Sequence, residues 1–390
     1  MKNFLFKKNN DIKIIFIVCI IFAIRNISLF FIFPIFNLYS LNLYGSTKLL
    51  NSICLASYGI FQIISQVPFG IFSNKYGKKN AILFGLLLFF FGNLICFFSN
   101  SIFGFLIGRI VQGISSISSV LMSFLLTSIS SKNRVLAVFF IGITFGLTFF
   151  ISMSISLFVF NFIGLHGFFL IMSFFSLFLI FFSYFFLPNN DIDIISNKNN
   201  YFLKKNISYF LKKKKFLNLL KCTFFTNFIF SSNFLVFSEI FSLFKINKFF
   251  QWKIYFYIFL ISFFISILII FFIKKNKYIN NSHEIFFLFF LFSEIIFLFN
   301  RNLRFLFFIS LQIFFISYNL ISTVLPILIR NNFNKKEHNN RNIFISIQTT
   351  LQLFGMSLGS VVGGVLYNFF GFNYIFIVCI VFIILYFKTK

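Results

Sequence analysis

Twelve apolar runs follow one another along this 390-residue chain, separated by short polar breaks. They lie near 12–38, 48–72, 80–98, 101–129, 134–160 and 165–187, and then near 216–242, 249–273, 283–300, 303–330, 341–366 and 370–387. A helix of roughly 20 residues crosses a bilayer, so twelve such runs use the whole length and leave no room for a separate soluble domain. The reading is an all-α membrane protein of twelve transmembrane helices. Six helices form an N-terminal lobe over 1–187, a Lys- and Asn-rich cytoplasmic linker covers 188–215, and six helices form a C-terminal lobe over 216–390.

Composition agrees. With 59% apolar residues, 11% charged residues and a mean hydropathy of +0.96, the chain cannot present a water-soluble surface. Its 77 Phe accompany abundant Ile, Lys and Asn, residues that share A/T-rich codons, so a single Phe carries little functional information. The formal charge of +27 would suggest nucleic acid in a soluble protein. Here placement excludes that partner. Counted by alternate loops with both termini inside, 26 Lys and Arg fall on one side and six on the other, while Arg25 and Arg109 lie within helices. Lys and Arg accumulate in cytoplasmic loops, so both termini are expected in the cytoplasm, with the protein in the cell inner membrane. The first run contains Arg25, is long for a signal peptide and lacks a small-residue cleavage site, which makes it an uncleaved first helix. Five single cysteines (Cys19, Cys54, Cys96, Cys222, Cys379) have no metal or redox spacing.

The connection after the second run reads Gly70-Ile-Phe-Ser-Asn74-Lys75-Tyr-Gly77-Lys78-Lys79. A Gly-bounded turn carrying three cations suits a cytoplasmic helix end, where glycine allows close approach and the cations favour the inner interface. It resembles the signature G-x-x-x-D-[RK]-x-G-[RK]-[RK] of the major facilitator superfamily, differing only at Asn74. Arg25 to Pro34, Gly108-Arg109 with Gln112-Gly113, Asn133-Arg134, Phe140-Ile-Gly142 with Phe145-Gly146, Gly164-Leu165-His166, and Asn319 with Leu325-Pro326 further resemble the YajR-type branch of bacterial inner-membrane drug:proton antiporters. The resemblance implies the major facilitator fold and a gating role for Gly70, Asn74, Lys75, Gly77, Lys78 and Lys79. Three departures stand beside it. Asn74 replaces the signature acid, which reduces a charge contact to a hydrogen bond. Ser156-Leu157 stands where antiporters carry Gly-Pro. The soluble domain that YajR-type proteins carry after the last helix is expected to be missing, since the sequence stops at Lys390.

Polar residues within the runs are the site candidates, because each is expensive in hydrocarbon unless it faces a cavity or a partner. Tyr58, Gln62 and Gln66 share one face at i, i+4 and i+8, and Arg109, Gln112 and Ser116 share another at i, i+3 and i+7. These, with Arg25, Asn227 and Asn319, are candidates for the substrate cavity, against the alternative of helix-to-helix hydrogen bonds. Gly355, Gly359 and Gly363 repeat every four residues, a pattern of close helix packing. No carboxylate occurs between Asp11 and Asp191. An arginine unpaired at mid-bilayer costs roughly 2.5 to 3.5 kcal/mol or more, so Arg25 and Arg109 are expected to face water, carbonyls, a substrate anion or the other half. For proton coupling the acids within runs are Glu294, which matches an acid at the same place in the branch, and Glu239 near a helix end. A structural role for Glu294 is the alternative.

An enzyme is disfavoured, because His166, His283 and His338 have no metal spacing or nucleophile partner. A channel is disfavoured by two equal, dissimilar halves around a gate turn. The expectation is a monomeric secondary transporter in the lipid bilayer, without metal or cofactor, that exports a small molecule by alternating access as a proton-coupled antiporter. An uncoupled facilitator or uptake carrier for a small anionic metabolite is the alternative.

Overall fold

A computed structural model of the chain describes residues 2–39, 43–130, 133–188, 214–247, 250–275, 282–299, 303–331 and 338–388. The linker expected over 188–215 lies outside the described residues except at its ends. The described residues are almost entirely helical: α1 Lys2–Phe30, α2 Ile32–Tyr39, α3 Lys48–Tyr76, α4 Lys78–Phe98, α5 Ile102–Ile114, α6 Ser118–Ser128 and α7 Arg134–Phe186, then α8 Lys214–Leu243, α9 Gln251–Lys275, α10 Ser282–Phe299, α11 Arg304–Asn331, α12 His338–Phe369 and α13 Asn373–Lys388. Among the described residues, ten helices are long and apolar enough to cross a membrane, with Ile143–Ser152 and Asn373–Lys388 as shorter apolar ones.

The expected runs differ from these helices in three places. The first is interrupted at Phe31 into α1 and α2, and the fourth is broken at residues 115–117 into α5 and α6. The fifth and sixth are one 53-residue element, α7, broken at Gly164, whose φ is 68°. At 1.5 Å per residue that element is about 80 Å long, more than twice the hydrocarbon thickness, so it supplies two passes. Only glycine takes such a φ without strain. Twelve passes result.

The described chain divides into two compact units, Met1–Ser46 with Ser57–Ser196, and Thr47–Ala56 with Asn197–Lys390. In the first, α1 and α4 both lie along α7, and α4 packs on α5. Ile15, Val18, Ile21, Leu86, Leu121, Phe124 and Leu179 form part of its core. The α4–α5 approach depends on two glycines: a Cβ on Gly108 would stand 2.5 Å from Cys96 Sγ, and one on Gly92 would stand 2.8 Å from the Gln112 backbone nitrogen.

In the second unit, α8 packs on α12, α11 and α13. Its core is aromatic: Phe230 stacks on Tyr318 at 4.4 Å, and Phe237 meets Phe314 edge-on at 5.3 Å. The glycine stripe of α12 closes on the α8 backbone, where a Cβ on Gly355 or Gly359 would overlap the carbonyls of Phe224 or Phe228. The first turns of α3 also group here. Lys48 Nζ donates to Tyr367 Oη at 2.6 Å and lies 4.0 Å from Glu239 Oε2, and a Cβ on Gly364 would overlap Ser52. Meanwhile Phe174, Phe181, Phe185, Phe271 and Phe272 are exposed. Bands of that kind on most helices are a lipid-facing surface rather than an isolated patch.

Candidate functional site

The polar side chains of the first unit converge on Tyr58 of α3. Arg25, in the middle of the span Asp11–Phe36 and 3% exposed, donates from Nη2 to Tyr58 Oη at 3.4 Å and to Ser115 Oγ at 3.3 Å. Its Cζ lies 5.6 Å from the Phe89 ring centroid. Arg109 of α5, 1% exposed, holds its Cζ 4.6 Å from the centroid of the Tyr58 ring and donates from Nη1 to Gln112 Oε1 at 2.8 Å. One tyrosine thus offers its hydroxyl to one guanidinium and its π face to the other, both favourable to buried cations.

Arg109 is oriented by a relay. Gln112 Nε2 donates to Asn93 Oδ1 at 3.0 Å, and Asn93 Nδ2 donates to the Phe89 carbonyl at 2.8 Å. The relay crosses from α5 to α4 where Gly92 and Gly108 let the backbones meet. Gln62 Nε2 donates to Ser118 Oγ at 3.3 Å, while Gln66, one turn on, is half-buried. Ser115 Oγ donates to the Gln112 carbonyl at 2.5 Å. The break at 115–117 places Ser115 against Arg25, while Ser116, placed by its spacing on the face of Arg109 and Gln112, is buried.

Arg25, Tyr58, Gln62, Arg109 and Gln112 therefore form one buried set. Sequence reasoning missed Phe89, Asn93, Ser115 and Ser118. Asn93 had a signal, as a lone amide inside the run Phe89-Phe-Phe-Gly-Asn93-Leu-Ile. The others became visible only with the helix break.

The two asparagines assigned to the cavity lie in the second unit. Asn227 Oδ1 accepts from Tyr318 Oη at 3.4 Å, and Asn319 Nδ2 donates to Ser262 Oγ at 3.1 Å on α9. Glu294 of α10 is fully buried, and its Oε1 accepts from Asn233 Nδ2 of α8 at 2.5 Å. Its Oε2 has no hydrogen-bond partner among the described residues. On α8, next to Asn233, Ser232 Oγ lies 3.4 Å from Cys379 Sγ of α13.

At the end of α3, Gly77 alone links α3 to α4, with φ 89°. A reversal in one residue at positive φ requires glycine. Lys78 is buried and donates to Thr127 Oγ1 of α6 at 3.0 Å, and Lys79 Nζ lies 5.5 Å from the Tyr184 ring centroid. Lys75 lies over the neighbouring Tyr76 ring at 5.2 Å, Ser73 Oγ donates to the Gly70 carbonyl at 2.8 Å, and Asn74 is exposed. Asp11 is engaged elsewhere: its Oδ2 accepts from Ser130 and from Asn133 Nδ2 at 2.8 Å, fastening α1 to the residues between α6 and α7.

Comparisons with known proteins agree with this architecture. The family described as the Major Facilitator Superfamily matches residues 15–249. An uncharacterized transporter of Buchnera aphidicola subsp. Acyrthosiphon pisum is 36% identical over 87% of this chain and 87% of its own length. The inner membrane transport protein YajR of Escherichia coli is 26% identical over 88% of this chain and 75% of its own. Among solved structures, a D-xylose-proton symporter superposes with a TM-score of 0.73 at 14% identity, covering 97% of each chain.

Proposed function

The chain belongs to the major facilitator superfamily, and from that membership we propose that it exports a small molecule across the cell inner membrane by alternating access, with proton coupling through Glu294. As a member of this family it is a multi-pass membrane transporter of small molecules, not an enzyme. The observation that carries the site is the buried set around Tyr58, in which two arginines, two glutamines and an asparagine are held in hydrogen-bonding order inside membrane-spanning helices. Evolution toward stability alone favours apolar packing at such depth. In the second unit Asn227 and Asn319 are the polar groups offered to substrate, and the protein works as a monomer.

The segment Gly70 to Lys79 is the cytoplasmic gate. Lys78 and Lys79 are tied to their own unit, while exposed Asn74 and Lys75 remain to meet whatever closes against them. The count of 26 against six basic residues supports both termini in the cytoplasm. It also supports the lobes 1–187 and 216–390 joined by an inside linker. The inner-membrane assignment is supported by the similarity to YajR, an inner membrane transport protein.

A second reading is favoured by one specific observation. The chain has no carboxylate between Asp11 and Asp191, which leaves few groups to carry protons, so an uncoupled facilitator or uptake carrier is the alternative. Flux of a drug and metabolite panel into proteoliposomes separates the two. Saturable flux that a pH gradient drives uphill supports proton-coupled export. Saturable flux indifferent to pH selects the facilitator, and linear, non-saturating flux removes both.

A further inference from the structure

The break between α5 and α6 lies beside an arginine to which no carboxylate is bonded among the described residues. Ser115 to Ile117 are buried and non-helical, and α6 then runs for 11 residues from Ser118. Its N-cap is Ile117, so no side chain caps the first turn. A helix start carries unsatisfied N–H groups and roughly half a positive charge. Arg25 reaches this break through its 3.3 Å bond to Ser115 Oγ. Its Nη2 is the bonded nitrogen, while Nε and Nη1 have no hydrogen-bond partner among the described residues, and the residue is 97% buried. Because guanidinium stays protonated, the nearest remedy would be a carboxylate. None exists in residues 12–190, and Asp11 is bound to Ser130 and Asn133.

We propose that this break is an anion site for a small organic carboxylate, held by Arg25 and the first turn of α6, with the Phe89 and Tyr58 rings beside its apolar body. The proposal rests on the carrier reading for its purpose and gives that carrier's substrate a class. A helix interrupted within a span and opening its N-terminus toward a ligand is a recurrent device for holding carboxylates in membrane carriers. The Phe89 ring centroid lies 5.6 Å from Arg25 Cζ, and the Tyr58 hydroxyl accepts from Arg25 Nη2. The Phe89 ring and the Tyr58 hydroxyl lessen the penalty of the buried cation without neutralising it. An anion supplies what they cannot, because a carboxylate oxygen accepts from the N–H of Nε or of Nη1, each unbonded among the described residues.

The test uses the purified full-length chain in detergent, with thermal unfolding followed against acetate, benzoate and 2-naphthoate, each beside its primary amide. The carboxylates should raise the unfolding temperature saturably, the aromatic ones at lower concentration, and the amides should not. Arg25→Gln should raise the half-saturating carboxylate concentration at least about tenfold, and Arg25→Lys should fall between it and the parent. An equal response to amides and acids, no response to any of the acids, or an unchanged response in Arg25→Gln overturns the proposal. If Arg25→Gln does not fold, the acid–amide comparison in the parent still decides. Flux of the same compounds separates this from the carrier reading. Flux of an amide without acid protection refutes the anion site and leaves the carrier, whereas acid protection without flux of any compound keeps the site and refutes the carrier.

Discussion

At the scale of single residues, buried polar groups of the described residues gather around Tyr58 and around Asn233, and some of their atoms are left without a hydrogen bond. Arg109 is the most constrained, with Gln112 on one nitrogen, the Tyr58 ring beneath it and Asn93 fixing the glutamine. Arg109→Ala should lower the initial rate of saturable flux at least about tenfold, equivalent to about 1.4 kcal/mol, while membrane insertion stays at the parent's level. Unchanged flux would make Arg109 a purely structural group. Glu294 is built differently, with one oxygen held by Asn233 and the other with no hydrogen-bond partner among the described residues. That asymmetry suits a carboxyl that gains and loses a proton as access alternates. Glu294→Gln should preserve exchange of substrate between its two sides and abolish accumulation driven by a pH gradient. Continued accumulation in the variant would remove Glu294 as the relay. Most of this residue list was legible in the sequence, because a polar residue in an apolar run is conspicuous. Ser115 and Phe89 were not, since serine and phenylalanine are common throughout the runs and only the fold selects which of them meets an arginine.

Among the elements, glycine decides how closely helices approach. The spacing of Gly355, Gly359 and Gly363 forecast a close contact, and the partner proves to be the backbone of α8 at Phe224, Phe228 and Ser232. Gly359→Val would drive methyl groups into the Phe228 carbonyl and the Ser231 hydroxyl. It should destabilise the protein by about 1 to 3 kcal/mol, read as a lower unfolding temperature in detergent. An unfolding temperature equal to the parent's would show that α8 and α12 are less tightly packed than these positions require. The turn at the end of α3 makes a second forecast. Asn74 is exposed where the family signature has an acid, so Asn74→Asp should add a charge contact to the closed gate and shift the conformational balance towards the outward-open state. Accessibility of single introduced cysteines to membrane-impermeant reagents measures this, and equal labelling from both sides in mutant and parent would count against it.

For the whole molecule, charge and hydropathy set orientation. Lys and Arg on cytoplasmic loops resist translocation, and the 26-to-6 asymmetry is large enough that one misjudged loop would not reverse it. A reporter fused after Lys390, or inserted near Asn200, should therefore be cytoplasmic, and a periplasmic signal at either place would dismantle the arrangement of two lobes around an inside linker. The basic charge that would signify nucleic acid in a soluble protein is here divided unequally between alternate loops, which is the observation the reporter experiment tests.

The sequence by itself determined the solvent, the number of passes and the family. Each of these is written in composition and in motifs a few residues long, and lipid admits few answers to a run of 20 apolar residues. Helix ends and interruptions were beyond it: the separation of α2 from α1, the break between α5 and α6, and the continuity of α7 up to Gly164. Hydropathy averages over a window and is blind to one residue that changes its backbone angle. Only the tertiary structure decided which polar groups answer one another. Asp11 went to Ser130 and Asn133, Asn233 to Glu294, and Lys48 to Tyr367. These partners are separated by between 61 and 319 residues, and which of many chemically suitable groups meet is fixed by how the helices pack, a choice no local pattern encodes.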